Sequence, residues 1–326
     1  MSTNGRCMNE DQSDAAPCYS IAAVERDTGL SKDTLRVWER RYGFPQPARD
    51  AAGDRSYPVE QVERLRTICR LMDAGHRPGR IVALAPDALQ ALLPVAPPPA
   101  LAGAARVAGD GTALEPYLAL VGQHDVQGLR GQLGQALLRM GLEAFVVGLV
   151  APLTTAVGEA WMQGRFQVFE EHLYTECLTG VLRQAIAGVP PPAGGASPRV
   201  LLTTFVQEAH GLGLLMAEVL LALEGCQCLS LGPQTPVPEI ARAAHAAQVD
   251  IVALSFSASM PGPVAQAGLR ELRGLLPTGV ALWVGGKAPF LQTRALPGVL
   301  ALPALGAVHA QVARWRHQTM ATSRAT

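Results

Sequence analysis

The segment Glu208-Ala209-His210-Gly211-Leu212-Gly213 joins two apolar runs of different character. Residues 199–205 before it have the pattern of a strand, and residues 214–223 after it have the pattern of a helix. A glycine-containing loop between a strand and a helix is where an open α/β sheet binds its ligand, at the carboxyl ends of the strands. This placement predicts that His210 meets a cofactor. Taken alone, the segment is equally consistent with a polar loop histidine.

Strand-like and helix-like runs alternate from this segment to the end of the chain. The predicted strands are residues 199–205, 226–231, 250–255, 281–284 and 299–302. The predicted helices are residues 214–223, 238–248, 263–276 and 309–316. Such alternation is typical of a parallel sheet with helices on both faces, so we predict an α/β Rossmann-like unit here.

Length and composition limit the remaining classes. The chain has 326 residues, enough for two or three domains, and 27 Lys and Arg balance 27 Asp and Glu. Apolar runs are interrupted by Gly, Pro or charge before they reach the length of a membrane span, and the first residues contain no apolar leader. We therefore expect a soluble, cytoplasmic protein that does not bind membranes. Six scattered cysteines without C-x-x-C spacing predict reduced, mostly buried thiols.

An arginine-rich region near the N-terminus has the pattern of a helix pair. Apolar residues at positions 21, 22 and 24 predict a short helix that ends at Gly29, and Ser31 can cap a second helix that runs to about Arg41. Two helices joined by a glycine turn make a helix-turn-helix, whose second helix would enter the major groove of DNA. Ordinary helical packing explains most such strings, so the residues that follow have to distinguish the two interpretations.

Two extended basic pieces follow the helix pair. Residues 44–49 and 55–57 are joined by turn residues, and together they predict a hairpin wing that touches backbone phosphates. Residues 59–74 then carry apolar side chains at helical spacing. A break and the run Arg77-Pro78-Gly79 come next.

Three of these runs closely resemble the winged helix-turn-helix of the MerR family of transcription regulators. They are residues 36–45, residues 55–57 and residues 77–79. The resemblance implies contacts to double-stranded DNA from Lys32, Thr34, Arg36, Arg40, Arg41, Arg49, Arg55, Tyr57 and Arg77. Metal-sensing members carry a cysteine cluster beyond this domain, and this chain has none there. The effector would therefore bind elsewhere.

Composition divides the chain into a multidomain arrangement. Small polar residues predict a disordered tail at 1–16, and Ala-, Pro- and Gly-rich stretches predict linkers at 91–112 and 189–198. The predicted domains are an α winged helix-turn-helix at 17–90, a four-helix bundle at 113–188 and the Rossmann-like unit at 199–318, followed by a tail at 319–326.

The predicted bundle contains two conspicuous positions. Trp161 comes just before a helix end, and the pair Glu171-His172 follows in the next helix. A hairpin between these helices would bring the tryptophan close to the pair. From spacing alone, a core tryptophan and a solvated Glu-His face is the favoured interpretation.

Three loops at the carboxyl ends of predicted strands resemble those of the cobalamin-binding Rossmann-like domain. The motifs are Glu208-x-His210-x-x-Gly213, Ser255-Phe256-Ser257 and Gly285-Gly286, and their spacing matches as well. The resemblance implies that His210 is the lower axial cobalt ligand and that Glu208 orients it. It also implies that the other motif residues hold the nucleotide tail of the cofactor. These residues are Gly213, Ser255, Ser257, Gly285 and Gly286. Leucine is usual where Ser257 stands.

Trp161, Glu171 and His172 also resemble the Trp-x9-Glu-His signature of the light-responsive repressors of the CarH/LitR group. The resemblance implies that they surround the adenosyl group of adenosylcobalamin. It further implies a homo-oligomer, dimer to tetramer, that represses from operator DNA in the dark and leaves when light breaks the cobalt–carbon bond. A second histidine follows the tryptophan in the best-known members, but Met162 stands there in this chain.

Other functions remain compatible with parts of this pattern. A corrinoid carrier for methyl transfer would share the bundle and the Rossmann-like unit, but the chain has no substrate domain and does have the DNA-binding pattern, so we expect no enzyme. A MerR-type regulator could instead answer another corrinoid, redox state or a protein antagonist. Metal sensing is the least favoured function, because the sequence shows no suitable cluster of metal ligands.

Overall fold

The computed structural model describes residues 18–49, 53–73, 76–93, 114–190, 198–293 and 296–323. The chain forms two compact units, Met1–Pro94 and Val95–Thr326. The predicted tail at 1–16 and most of the two predicted linkers lie outside the described residues.

The first unit is a winged helix-turn-helix. Its elements are β1 (Cys18–Ser20), α1 (Ile21–Thr28), α2 (Lys32–Tyr42), β2 (Ala48–Arg49), β3 (Arg55–Pro58), α3 (Val59–Asp73), α4 (Pro78–Ile81) and α5 (Pro86–Leu92). The strands form an antiparallel sheet in the order β1-β3-β2, which confirms the predicted hairpin wing. The sequence did not predict β1, because three residues are too few to show a period.

Capping side chains set the ends of the helix pair. Ser31 accepts a hydrogen bond from the Thr34 amide, so α2 starts where the sequence predicted. Gly29 and Gly43 both adopt the left-handed conformation and close α1 and α2. Leu35 and Trp38 are buried, which turns the opposite, charged face of α2 to solvent.

The second unit begins with the predicted bundle. Its helical segments are α6 (Glu115–Gly122), α7 (Val126–Met140), α8 (Leu142–Ala144), a π-helical turn (Phe145–Val150), α9 (Ala151–Met162) and α10 (Val168–Ala187). The segments from α8 to α9 follow one another without a break, so four helices pass through the bundle, as predicted.

One bundle helix corrects an expectation about apolar runs. Residues Leu142–Met162 form a helix long and apolar enough, by length and composition, to cross a membrane, despite Gly148 and Pro152. The expectation that Gly, Pro or charge breaks every such run is therefore wrong for this helix. Leu149 and Leu153 are fully buried in the bundle core, which accounts for its apolar character.

The rest of the second unit is a five-stranded parallel sheet with helices on both faces. In chain order it comprises β4 (Arg199–Phe205), α11 (Leu212–Leu223), β5 (Gln227–Thr235), α12 (Val237–Ala246), β6 (Ile251–Phe256), α13 (Gly262–Leu275), β7 (Ala281–Gly286), α14 (Phe290–Thr293), β8 (Leu300–Ala301), a 3-10 turn (Leu305–Ala307) and α15 (Val308–Ser323). The strand order is β5-β4-β6-β7-β8, with all pairs parallel. The predicted α/β fold is confirmed.

The elements that extend furthest beyond their predicted ends are β5 and α15. β5 continues to Thr235 because threonines of β4 hold its irregular end: the Thr203 hydroxyl donates to the Gly232 carbonyl at 2.7 Å, and the Gln234 amide donates to the Thr204 hydroxyl at 2.8 Å. α15 continues to Ser323, into the stretch predicted as a tail.

The bundle and one face of the sheet share a single core. Leu178 and Leu182 of α10 belong to the same cluster of buried side chains as Leu215 and Val219 of α11. A second cluster, around Leu201 and Phe256, covers the other face of the sheet. The Pro- and Gly-rich stretch at 189–198 therefore joins two parts that pack together.

Candidate cofactor site and DNA-binding surface

The histidine loop lies where the strand order reverses. β4 lies between the edge strand β5 and the central strand β6, and the crossovers that leave β4 and β6 go to opposite sides. Such a reversal opens a crevice at the carboxyl ends of the strands, which is the usual ligand site in this class of sheet. Glu208 and His210 follow β4, and Ser257 follows β6. The sheet therefore brings two of the three predicted loops to one crevice.

Glu208 organises this crevice. One carboxylate oxygen, Oε1, lies 2.7 Å from His210 Nδ1 and accepts from the His210 amide at 3.0 Å. The other, Oε2, accepts from the Ser257 amide at 2.7 Å and from the Ser257 hydroxyl at 2.8 Å. The Glu208 side chain is 1% exposed, whereas that of His210 is 64% exposed. A buried carboxylate thus holds an accessible imidazole in one orientation.

These contacts favour the charged form of Glu208. Burial alone would raise the pKa of this carboxyl, but the hydrogen bond and charge of His210, with the amides of Ser257 and His210, outweigh it. The net result is a pKa below the ordinary value for glutamate. A charged Glu208 accepts from Nδ1–H, so Nε2 is the ring nitrogen suited to bind a metal.

Ser257 contacts the carboxylate that orients the histidine. The Ser257 hydroxyl donates to Glu208 and also lies 2.7 Å from the Ser259 hydroxyl. Ser257 therefore supports the histidine through Glu208. Buried Thr204 supports the same loop by donating to the Glu208 carbonyl at 2.6 Å. The sequence analysis assigned neither Thr204 nor Ser259 to the site, because neither belongs to one of the motifs.

The predicted glycines differ in how tightly they are packed. A Cβ at Gly213 would lie 2.7 Å from the Ser255 hydroxyl, and a Cβ at Gly286, where φ is +111°, would lie 2.1 Å from the Phe256 carbonyl oxygen. Gly286 therefore excludes a side chain, whereas a side chain at Gly213 would require the Ser255 hydroxyl to move. A Cβ at Gly285 would meet nothing within 4 Å. Gly213, in the first turn of α11, thus lies close to Ser255 of β6, whereas Gly285 borders open space.

The bundle residues lie on a helical hairpin, as predicted. Trp161 is near the end of α9 and half-buried against the core, and Glu171 and His172 are near the start of α10. Glu171 Oε1 accepts from the Thr175 hydroxyl at 2.9 Å, and its Oε2 lies 3.7 Å from His172 Nε2. His172 is 62% exposed. The acid and the histidine are thus held by contacts within one helix.

A further contact joins the bundle to the sheet. Lys287, directly after the Gly285-Gly286 pair, donates through Nζ to the Thr155 hydroxyl of α9. Neither residue was predicted to take part in the site. Their contact brings the loop after β7 to the same helix that carries Trp161.

The predicted DNA contacts form two groups. Arg36, Arg40 and Arg41 are exposed on α2, and Arg77 is exposed just before α4. Lys32 is also accessible but lies 3.5 Å from Glu25, and the Thr34 hydroxyl lies 2.9 Å from that of Ser31 at the helix cap. The first group can meet phosphates directly, whereas the second also stabilises the start of α2.

The wing residues are more deeply engaged than the sequence suggested. The Arg55 Nε donates to Glu39 Oε2 at 2.9 Å and ties the wing to α2. Arg49 donates to the Gly53 carbonyl at 2.6 Å and remains exposed. Tyr57 is fully buried, and its hydroxyl has no partner among the described residues. The structure therefore places Tyr57 in the core and away from the surface implied for it, because alternate residues of β3 face inward.

The described cysteines are mostly buried, as predicted. Cys69, Cys177 and Cys226 are buried, and Cys18 is exposed. Burial raises the pKa of Cys226 to about 11 and that of Cys228 to about 12. Among the described residues, no group of three or more His, Cys, Asp and Glu could hold a metal ion.

Comparison with known proteins agrees with both halves of this description. Residues 19–87 match the MerR HTH family regulatory protein model, and residues 113–186 match the B12 binding domain. Fold and site thus define a helix-turn-helix regulator joined to a B12-binding module.

Relatives along most of the chain narrow this class. The HTH-type transcriptional repressor CarH of Myxococcus xanthus is 31% identical over 281 residues, 83% of this chain and 89% of the relative. The repressor CarA of the same organism is 31% identical over 72% of this chain and 75% of its own. The chain belongs to this family of HTH-type transcriptional repressors and is a cobalamin-dependent regulator. The monomethylamine corrinoid protein of Methanosarcina barkeri aligns with a TM-score of 0.48 and 13% identity over 60% of this chain and 94% of its own.

Proposed function

We propose that this protein is an adenosylcobalamin-dependent, light-responsive repressor. It would bind operator DNA as a homo-oligomer, dimer to tetramer, in the dark and leave the operator on illumination. It would act in the cytoplasm and catalyse no reaction. The observation that carries the proposal is the Glu208–His210 contact of 2.7 Å in a chain that also contains a winged helix-turn-helix.

The donor set at the crevice fits a corrinoid. A corrin ring supplies its own equatorial nitrogens, so the protein needs to provide a single axial donor and not a cluster. His210 is exposed, and its Nδ1 faces a buried carboxylate, which leaves Nε2 as the suitable donor. A site for a bare metal ion would need several converging ligands instead.

The sheet residues would bind and orient the cofactor. His210 would bind the cobalt ion, and Glu208 would keep the imidazole in the tautomer that binds through Nε2. The absence of a side chain at Gly213 leaves room for the Ser255 hydroxyl at the start of α11. Open space at Gly285 would admit part of the nucleotide tail.

The bundle residues would cover the upper face. When bound, adenosylcobalamin supplies a cobalt–carbon bond that light breaks. Trp161 would pack against the adenosyl group, and Glu171 and His172 would hydrogen-bond it. Loss of these contacts would let the α9–α10 hairpin shift against the shared core and weaken the oligomer.

Met162 leads to a second candidate function, in which the signal is not light. The Met162 thioether would be a weaker donor to the cobalt of a corrinoid than the imidazole that the resemblance implies at this position. A second candidate function is therefore a cobalamin-binding repressor that answers a signal other than light, such as a different corrinoid, a redox change or a protein antagonist.

One experiment separates these possibilities. The full chain, reconstituted with adenosylcobalamin, is examined by visible absorption and by size-exclusion chromatography before and after illumination. We expect an oligomer in the dark that dissociates in the light, with a matching spectral change. Cofactor binding without a light-dependent size change would support the second candidate. Absence of cofactor binding would contradict both.

The variant His210→Ala identifies the ligand in the same experiment. It should alter the dark spectrum and weaken binding, because the axial imidazole is lost. His245→Ala is the matched control, since His245 is an exposed histidine on α12 outside the crevice. Equal behaviour of the two variants would remove His210 from the ligand role.

A further inference from the structure

One apolar side chain lies on the charged face of α2. Leu35 and Trp38 are buried, so helical periodicity turns residues 33, 36, 37, 40 and 41 to the opposite side. Four of these are charged, and the fifth is Val37, which is 43% exposed. Among the described residues of the first unit, the only other exposed large apolar side chain is Leu92, on α5.

A single exposed valine is ordinary on a protein surface. Val37 differs because it lies among charged side chains on one face of α2. The Arg36 guanidinium donates to Asp33 Oδ1 at 3.0 Å, and the Arg41 guanidinium lies 5.3 Å from the centre of the Tyr42 ring. Long cationic side chains such as these reach the phosphates at the edges of a groove. Val37 is too short to reach those phosphates, so it could contact only the base edges that face α2 in the groove.

We propose that Val37 reads DNA sequence directly by contacting the 5-methyl group of a thymine in the major groove. The proposal rests on the DNA-binding function proposed above. Thymine is the only base that presents a methyl group there, and apolar contact is the way that proteins recognise it. The methyl groups of Val37 offer no donor or acceptor, so they select for an apolar partner and against the polar edges of the other bases.

The test removes the methyl group from the DNA and the side chain from the protein. The full chain, with adenosylcobalamin in the dark, first selects its preferred sites from a random duplex library. Each thymine of the enriched site is then replaced, one at a time, by deoxyuridine, which lacks only the methyl group. Binding of the wild type, Val37→Ala and the control Leu92→Ala to each duplex is measured by fluorescence anisotropy at fixed salt.

The wild type and Leu92→Ala should lose about fourfold in affinity at one thymine per half-site, the value of one buried methyl group. Val37→Ala should bind the unmodified site more weakly and lose nothing further at that position. Thermal melting should show that both variants fold, since neither position is buried.

Two other outcomes overturn the proposal in distinguishable ways. If the wild type enriches a site but tolerates deoxyuridine everywhere in it, or if Val37→Ala keeps the wild-type sensitivity, then Val37 does not read thymine and the DNA-binding function stands. If no sequence is enriched, the DNA-binding function fails and the role of Val37 fails with it.

Discussion

The crevice around His210 and the hairpin around Trp161 are built in opposite ways. His210 is oriented by Glu208, which in turn is held by Ser257 from the loop after β6, so the arrangement depends on β4 and β6 lying side by side. Glu171 and His172 are held by neighbours on their own helix. A contact network that spans two strands is rigid, whereas contacts within one helix move with that helix. The crevice is thus suited to bind, and the hairpin is suited to respond.

The largest effect should come from removing the carboxylate of the crevice. Glu208→Ala leaves His210 in place but removes its orienting partner, and we expect cobalamin affinity to fall by about 10- to 100-fold. Spectral titration of the purified apoprotein measures it. Glu239→Ala is the control, because Glu239 is an exposed glutamate on α12. Wild-type affinity in Glu208→Ala would mean that the network does not position the histidine.

A smaller and more selective effect is expected at the hairpin. Trp161→Ala should lower the affinity for adenosylcobalamin by about tenfold, because an aromatic contact is lost. The affinity for methylcobalamin should change little. Competition titrations with the two corrinoids measure this difference. The α9 variant Val157→Ala tests the alternative, because Val157 is buried core. If both variants affect the two corrinoids equally, Trp161 is a packing residue only.

Replacing Ser257 should have a still smaller effect. Ser257→Ala removes one hydrogen bond to a charged carboxylate but keeps the backbone amide that also donates to Glu208. We expect a loss of about fivefold in cobalamin affinity. Ser259→Ala, one step further from Glu208, should cost less. A larger loss at Ser259 than at Ser257 would reverse the order of the network.

The weakest signal should be a pH dependence of stability in the cofactor-free protein. The folded pKa of Glu208 lies below its ordinary value, so its contribution to the free energy of unfolding is present above the unfolded pKa and is lost as the pH falls through the folded pKa. Urea unfolding at pH 7 and in the acid range should show a shallower decline in Glu208→Gln than in the wild type. Parallel declines would indicate that this carboxylate titrates normally.

Local pattern was sufficient for most of the elements. Ser31 starts α2 where its capping chemistry predicts, and the alternating runs after residue 199 form the parallel sheet. Pattern failed where a distant contact prevails. β5 runs on to Thr235 because threonines of β4 satisfy its irregular end, and Tyr57 faces the core although its motif suggested a surface role.

The crevice shows the same division. Motif and spacing were enough to indicate that Glu208 and His210 act together, because two residues this close in sequence lie near each other in any fold. The part played by Ser257 could not be read from the chain, since it depends on β4 and β6 lying side by side and ending at one edge. The contact of Lys287 with Thr155 likewise requires the bundle and the sheet to share a core. Short-range chemistry is encoded residue by residue, whereas contacts between distant segments exist only once the hydrophobic core has brought their elements together.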